Sequence, residues 1–138
     1  MEDLIGKTIK EIYFDKEMES SIVFITDENK INYYLEADCC STSYIDSFKG
    51  INNLLNQKVI SMKELEQTEE VIAEWQYIRT HPVEIITEKG KALFTYKNNS
   101  NGYYNGWIKL TDNPPKELIP ITQDIDVAAI KTKETQND

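Results

Sequence analysis

The segment NNSNGYYNGW, residues 98–107, carries the side chains best suited to recognise a ligand or a partner. Its four asparagines hold both hydrogen-bond donors and acceptors, which suit a planar polar group. Tyr103, Tyr104 and Trp107 offer flat apolar faces with polar edges, and such rings stack on bases or anchor protein interfaces. This composition exceeds what a simple polar connection between strands requires, so the sequence predicts a binding site here.

The adjacent cysteines Cys39 and Cys40 could in principle supply a nucleophile or a metal ligand. Strand alternation predicts a buried, unreactive Cys39 and an outward Cys40. A nucleophilic cysteine needs a nearby base, but the only histidine, His81, is expected at the far end of a strand from Asp38. Adjacent cysteines also lack the roughly two-to-four-residue separation of a zinc site. The sequence therefore predicts no catalytic and no metal-binding residues.

Phosphate binding is not expected either, because the chain lacks a P-loop and a dinucleotide-binding glycine motif. No cofactor is predicted. The net charge is −9, the isoelectric point is about 4.7, and Arg79 is the only arginine. Direct nucleic-acid binding uses clusters of basic residues and is not expected. Acidic charge keeps a small protein soluble, and it also favours a partner with a basic surface.

A chain of 138 residues is long enough to bury one core, and its composition is that of a globular domain. No apolar run approaches the ~20 residues of a membrane span, and the first ten residues lack a signal-peptide core. No membrane association is expected. Two cysteines without a disulfide framework favour a reducing cytoplasm.

Period-two alternation predicts two groups of antiparallel strands. The first is a three-stranded meander between Thr8 and Asp38. The second contains VIAEWQYIRT as one strand with Trp75 on its inner side and Arg79 at the rim, a hairpin around residues 88–90, and GWIKLTD as a further strand. KVISMKEL is predicted to form a strand between the two groups.

Residues 42–56 are predicted to contain a short helix, capped by Thr42 or Ser43, because their apolar residues recur at helical spacing. The predicted fold class is α+β: mainly antiparallel β, with two meanders and one or two short helices. One domain is expected over residues 1–130, followed by a polar, disordered tail at 131–138.

The two strand groups resemble each other when the first is shifted by 61 positions. The matched residues include Ile25 with Ile86, Thr26 with Thr87, and Lys30 with Lys91. Either an internal duplication or a chance similarity between hairpins explains this match. A duplication would place the cysteine loop and the NNSNGYY loop at equivalent strand ends, so we predict one shared site. Its residues are Asp38, Cys40, Ser41, Tyr44, Asn99, Ser100, Asn101, Gly102, Tyr103, Tyr104 and Trp107.

Four motifs along residues 4–110 together resemble a family of small uncharacterised proteins from phages, prophages and their bacterial hosts. The motifs are GKTI near the start, DCCS followed by Tyr44-Ile45, NLL before a VIS strand, and SNGYY before a glycine. The family often has a glycine pair after the tyrosines, where this chain has Asn105-Gly106. The resemblance implies a phage or mobile-element accessory gene; it implies no reaction.

The sequence therefore predicts a non-catalytic protein that inhibits or sequesters a host component in the cytoplasm of a bacterial host. The component is either a defence protein with a basic surface or a small nucleotide-like signal. One alternative is a small hydrolase or nucleotide-modifying enzyme that uses the Asp38–Cys40 loop. Another is a structural component of the virion. The oligomeric state stays open.

Overall fold

The computed structural model describes residues 2–136. Within this range the chain forms eleven strands, one 3-10 turn and one α-helix. The strands are β1 (Thr8–Asp15), β2 (Ser21–Thr26), β3 (Lys30–Ala37), β4 (Thr42–Lys49), β5 (Gln57–Glu64), β6 (Thr68–Ala73), β7 (Gln76–Thr87), β8 (Lys91–Ser100), β9 (Gly106–Leu110), β10 (Leu118–Pro120) and β11 (Ile125–Asp126). The 3-10 turn is Ile51–Asn53, and helix α1 is Val127–Gln136. The fold is mainly antiparallel β and is closer to all-β than to the predicted α+β class.

One continuous sheet has the strand order β11-β4-β8-β7-β5-β1-β2-β3-β9. Strand β10 pairs with β1, and β6 pairs with β7 beyond the end of β5. The first meander, β1 to β3, is confirmed, as are the β7–β8 hairpin and β9. The two halves of the sheet meet at β1 and β5, which share only a short register around Thr8 and Ile9.

A cluster of aromatic rings joins the two halves of the sheet. Phe48 on β4 lies at its centre, with its ring centroid 5.4 Å from that of Phe94 on β8. The same ring is 6.4 Å from Phe14 on β1 and 6.4 Å from Phe24 on β2. All four side chains are buried. Burying each such ring stabilises the fold by roughly 1.5–3 kcal/mol, so the cluster ties the halves together.

The two halves exchange one strand each. The chain leaves β3 and enters β4, which pairs with β8 in the other half. It later leaves β8 and enters β9, which pairs with β3. Thr42 is thus opposite Asn99, while Ala37 is opposite Gly106. As a result the connections 38–41 and 101–105 lie side by side at one end of the sheet.

The hairpins β2–β3 and β7–β8 share their turn geometry at the shift of 61 positions. Thr26 N donates to Asn29 O at 2.9 Å, and Thr87 N donates to Gly90 O at 2.9 Å. In each turn the threonine hydroxyl also accepts a bond from the backbone N–H two residues later. The identical pattern supports an internal duplication.

Residues 42–49 form strand β4, so the helix predicted within residues 42–56 is wrong. The β4–β8 register shifts between Ile45 and Ser47, which marks a β-bulge. The extra residue turns both Ile45 and Phe48 towards the core. This spacing of three imitates helical periodicity, and only the short 3-10 turn is helical in this segment.

The segment VIAEWQYIRT forms two strands, so the single strand predicted there is also wrong. A turn at Glu74 and Trp75 folds β6 back onto β7, and Trp75 has a φ of 61°. This left-handed conformation costs a non-glycine residue roughly 1–2 kcal/mol. Because the residue that adopts it is a tryptophan and not a glycine or asparagine, the sequence does not mark the turn. Trp75 is 64% exposed rather than inward-facing.

The C-terminal segment returns to the body of the fold. Strand β11 pairs with β4, and Asp124 accepts bonds from the backbone N–H groups of Gly50 and Ile51. Helix α1 extends to Gln136, while residues 1, 137 and 138 lie outside the described range. The domain boundaries and the disordered tail stay predictions. Across residues 2–136, no helix has the length and apolarity needed to cross a membrane.

Candidate functional site

The two loops that the sequence singled out are bonded to each other. Asp38 N donates to Asn105 O at 3.0 Å, and Asn105 N donates back to Asp38 Oδ2 at 3.1 Å. Ser41 Oγ closes the first loop by donating to Asp38 O at 2.8 Å. Because these bonds are reciprocal, the position of one loop fixes the other. We call residues 38–41 and 101–107 together the loop surface.

Arg79 on β7 anchors the second loop from below. Its Nη2 donates to Gly102 O at 2.9 Å, and its Nη1 donates to Tyr104 O. Its Nε donates to the Glu69 carboxylate on β6 at 2.9 Å. The planar guanidinium has five donors in a fixed geometry and can satisfy three acceptors at once. With its side chain only 14% exposed, the arginine is largely covered by the loop that it holds.

Two glycines are required where the loop packs. Gly102 has a φ of +100°, and a Cβ atom there would lie 2.7 Å from the Tyr77 ring. At Gly106 a Cβ atom would lie 1.9 Å from Ser43 Oγ, so no side chain fits. Beside it the fully buried Asn98 donates to the hydroxyls of Ser41 and Ser43 at 3.2 and 3.1 Å. The close packing of both glycines holds the loop in one position.

A cleft of about 310 Å³ with polar and aromatic lining opens beside the loop surface. It is lined by Glu64, Leu65, Gln67, His81, Tyr96, Asn105, Gly106 and Trp107. The His81 and Tyr96 rings stack with centroids 4.7 Å apart. His81 Nε2 lies 3.0 Å from Asn105 Oδ1, and the Tyr96 hydroxyl donates to Glu64 Oε1 at 3.0 Å.

The cleft presents no positive charge at neutral pH. Burial lowers the pKa of His81; the Asn105 hydrogen bond and the Glu64 charge oppose this, and Arg79 adds to it. Burial and the neighbouring Glu64 carboxylate raise the pKa of Tyr96 far above its usual value. None of the eight described lining residues is lysine or arginine. The cleft therefore suits a neutral or cationic group better than a phosphate.

Most of the predicted site residues lie at or beside the loop surface. Tyr103 and Trp107 are exposed at the loop surface, beside the exposed Asp38 and Cys40. Ser100 and Asn101 shape the turn: Ser100 Oγ accepts from Gly102 N, and Asn101 Oδ1 accepts from Tyr103 N, both at 3.1 Å. Tyr104 is half-buried and contributes its carbonyl to the Arg79 contact.

Two predicted site residues lie apart from the loop surface. Tyr44 is on β4 opposite Lys97, and strand alternation points it away from the face of Ser43. Burial and Asp46 raise its pKa. Asn99 likewise points to the opposite face from the buried Asn98.

Sequence reasoning missed Arg79 as the anchor and placed His81 wrongly. His81 is opposite Tyr96 in the β7–β8 register. Asn105 links the histidine to Asp38, because its side chain bonds the His81 ring and its backbone N–H donates to the Asp38 carboxylate. In an antiparallel hairpin the start of one strand lies beside the end of the next, so the first half of β7 borders the loop after β8. Applying this antiparallel register to the predicted hairpin would have placed His81 beside the loop after β8.

The prediction that Cys39 is buried is wrong, because both cysteines are exposed. Strand β3 ends at Ala37, and Cys40 adopts a φ of 68° in the following turn, so strand alternation does not reach the pair. The two sulfur atoms are 3.1 Å apart. This hydrogen bond to the Cys39 sulfur raises the pKa of the Cys40 thiol.

The chain belongs to the family described as "Domain of unknown function (DUF7448)", whose model matches residues 2–110. Comparisons with curated proteins and with solved structures find no match. In the described part of the chain, no group of three or more His, Cys, Asp or Glu residues could hold a metal ion. The matched range includes both loops of the loop surface.

Both cysteines of the native protein are expected to react with iodoacetamide, because both thiols are exposed. Cys40 should react more slowly near pH 7, since a raised thiol pKa lowers the thiolate fraction. Mass spectrometry of the native chain, beside Cys39→Ser and Cys40→Ser controls, measures both rates. Labelling that stops at one cysteine in the native chain would contradict this.

His81 is expected to weaken the fold on acidification. Its folded-state pKa lies below the unfolded value of about 6.5, so the unfolded chain binds the proton first. Between pH 7.5 and 5.5 the free energy of unfolding should fall more in the wild type than in His81→Gln. Urea titrations of both proteins at both pH values measure the free energy of unfolding. An equal decrease in the wild type and in His81→Gln would show that burial does not disfavour the charged His81 ring.

Proposed function

We propose that this member of the DUF7448 family is a non-catalytic binding protein that captures a protein partner with a basic surface at the loop surface. The observation that carries the proposal is the pair of exposed rings on an immobilised loop. Tyr103 is 79% exposed and Trp107 is 44% exposed. Arg79 holds the carbonyls on either side of Tyr103, and Trp107 is held by the pairing of β9 with β3. Aromatic side chains of this kind are the commonest energetic anchors of protein interfaces.

Preorganisation supports a role in binding. Ordering a flexible loop during association costs free energy, and a loop that is already ordered avoids this cost. The loop surface is held by the reciprocal Asp38–Asn105 bonds and by tight packing at Gly102 and Gly106. Such a loop meets a partner with its rings already in place.

Charge supports a basic protein rather than a phosphate-bearing ligand. The chain has a net charge of −9, and Asp38 is exposed at the centre of the loop surface. The one arginine nearby is occupied by two carbonyl oxygens and by Glu69. Complementary charge accelerates association and selects partners, so a basic surface fits best.

A binding role without catalysis agrees with how the polar groups are used. Both the His81 ring nitrogen and the Tyr96 hydroxyl make hydrogen bonds inside the protein. The Cys40 thiol, the nucleophile of the enzyme alternative, has a raised pKa, which opposes activation. The use of these groups in positioning the loop supports a binding role.

The biological setting of this proposal rests on the motif resemblance to phage and prophage proteins. A phage accessory protein in the host cytoplasm commonly acts by stoichiometric binding. We therefore propose that the partner is a host defence protein, which the loop surface blocks. Binding depends on surface complementarity alone and requires no cofactor.

A small planar ligand is the second candidate, and the cleft of about 310 Å³ favours it. Such a ligand would stack beside Trp107 and hydrogen-bond to Glu64 or Gln67. The absence of a cation among the described lining residues favours a nucleobase or another uncharged ring over a nucleotide. In calorimetry, saturable binding of adenosine but not of AMP would support this candidate. The absence of heat from both would exclude it and favour the protein partner.

Tyr103→Ala and Trp107→Ala are expected to weaken partner binding by ~2 kcal/mol or more each, about thirtyfold in Kd. Their melting temperatures should match that of the wild type, because both rings are exposed. Capture of host proteins on the immobilised chain identifies the partner, and surface plasmon resonance gives the affinities. Ile60→Ala removes an exposed apolar side chain on β5, next to the end of β7 that is remote from the loop surface, and is the control.

Asn101→Ala tests the turn that carries the Tyr103 ring. Asn101 shapes the turn through its bond to Tyr103 N, so its loss should lower the melting temperature as well as binding. If Tyr103→Ala and Trp107→Ala bind as tightly as the control, the loop surface is not the binding site. If they unfold instead, the rings are structural.

A further inference from the structure

Strand β6 has one open edge. It pairs with β7 from Thr68 opposite Thr80 to Ala73 opposite Gln76. No strand within residues 2–136 pairs with its other edge. All six of its residues are exposed. The unpaired backbone N–H and C=O groups along this edge form a template on which a further strand can add.

An acidic stretch surrounds this edge. Residues 64–78 contain five glutamates and neither lysine nor arginine. Glu64 is bonded to Tyr96 and Glu69 to Arg79. The remaining three, Glu66, Glu70 and Glu74, are exposed and make no ion pair within the described part of the chain. Three charges along one strand and its turns are therefore available to an incoming chain.

Apolar side chains lie among these carboxylates. Val71 is 63% exposed, Ile72 is 49% exposed, and Trp75 at the turn is 64% exposed. Such residues on an open edge promote pairing, and natural edges commonly suppress it with lysine or proline. Strand β6 contains neither residue. Acidic and apolar side chains on the same open strand thus offer both charge and contact area.

The charges decide which chain can add. A second copy of this chain would bring its own acidic stretch alongside this one, and two chains that each carry a net charge of −9 repel each other. A segment that carries lysine or arginine between apolar residues would instead make favourable cross-strand pairs with Glu70 and Glu74. The acidic edge therefore disfavours self-association and selects a basic strand.

We propose that β6 accepts an extended basic segment of the partner protein as an added strand. Backbone hydrogen bonds along the open edge hold the segment, and alternate side chains meet Val71, Trp75 and the free glutamates. This inference rests on the proposed function and specifies its partner: a protein with a basic, β-forming segment.

The added strand would continue into the loop surface. Glu69 on β6 bonds Arg79, which holds the loop carbonyls, and Gln67 accepts a bond from Asn105 Nδ2 at 3.1 Å. These contacts make β6 and the loop surface one continuous face. A partner bound at the edge would bring its neighbouring surface against Tyr103 and Trp107.

The test uses the full chain and an eight-residue peptide of alternating lysine and valine. Hydrogen exchange followed by NMR is measured with and without the peptide. Protection is expected at amides of residues 68–73. The double variant Glu70→Lys/Glu74→Lys should weaken peptide binding by about tenfold or more, because two attractive pairs become repulsive. Glu17→Lys/Glu28→Lys changes the net charge equally, at exposed turns elsewhere, and should have little effect.

A second peptide of the same length, with proline in place of the central valines, should neither bind nor protect β6. Protection outside residues 68–73, equal loss of binding in both double variants, or no binding at all would overturn the strand addition. These failures are separate from failure of the loop surface. Capture of a host partner by the wild type but not by Tyr103→Ala would still support the proposed function.

Discussion

The guanidinium of Arg79 is the contact on which the proposed binding face depends. It joins β7 to two other segments: it bonds the carboxylate of Glu69 on β6 and the carbonyls of Gly102 and Tyr104 in the loop after β8. A carbonyl left unsatisfied away from water costs about 1–3 kcal/mol, so the arginine both orders the loop and is committed to it. Because all three bonding groups of this cation contact the protein itself, the guanidinium is not available to bind an anion. The loop surface above it therefore presents acidic and aromatic side chains. The exchange of β4 and β9 between the two halves then brings the cysteine loop to the same place.

Much of the architecture follows from local patterning, and the failures have specific causes. The β1–β3 meander and the β7–β8 hairpin were predictable because apolar residues run through β2 or alternate along the other strands, and polar turns separate the strands. Strand β4 was not, since its bulge spaces Ile45 and Phe48 like residues of a helix. The turn at Trp75 was not, since a tryptophan in a left-handed conformation carries no turn signal. Each error arose where tertiary contacts override local preference.

The candidate site was predictable in part. Unusual composition identified both loops, and the repeat suggested that they meet; their reciprocal bonds place them together. The residues beneath them were missed, because Arg79 and His81 bond loop atoms 23 to 25 positions away and no motif links such partners. The strand exchange could not be predicted from the sequence. Strand β4 follows β3 along the chain but pairs with β8, and β9 follows β8 but pairs with β3. The sequence also did not show that the glutamates of β6 lie on an open strand edge, because only the strand pairing reveals that edge.

Amide hydrogen exchange in Arg79→Lys tests most directly whether the arginine holds the two loops as one surface. Lysine keeps the charge but cannot donate to two carbonyls and a carboxylate in a fixed plane. The amides of Asp38 and Asn105, which bond the loops together, should exchange about tenfold faster or more, equivalent to ~1.4 kcal/mol of local opening. Amides of β2, far from the loops, should exchange as in the wild type. Unchanged exchange at Asp38 and Asn105 would contradict the account, as would equal acceleration throughout the chain.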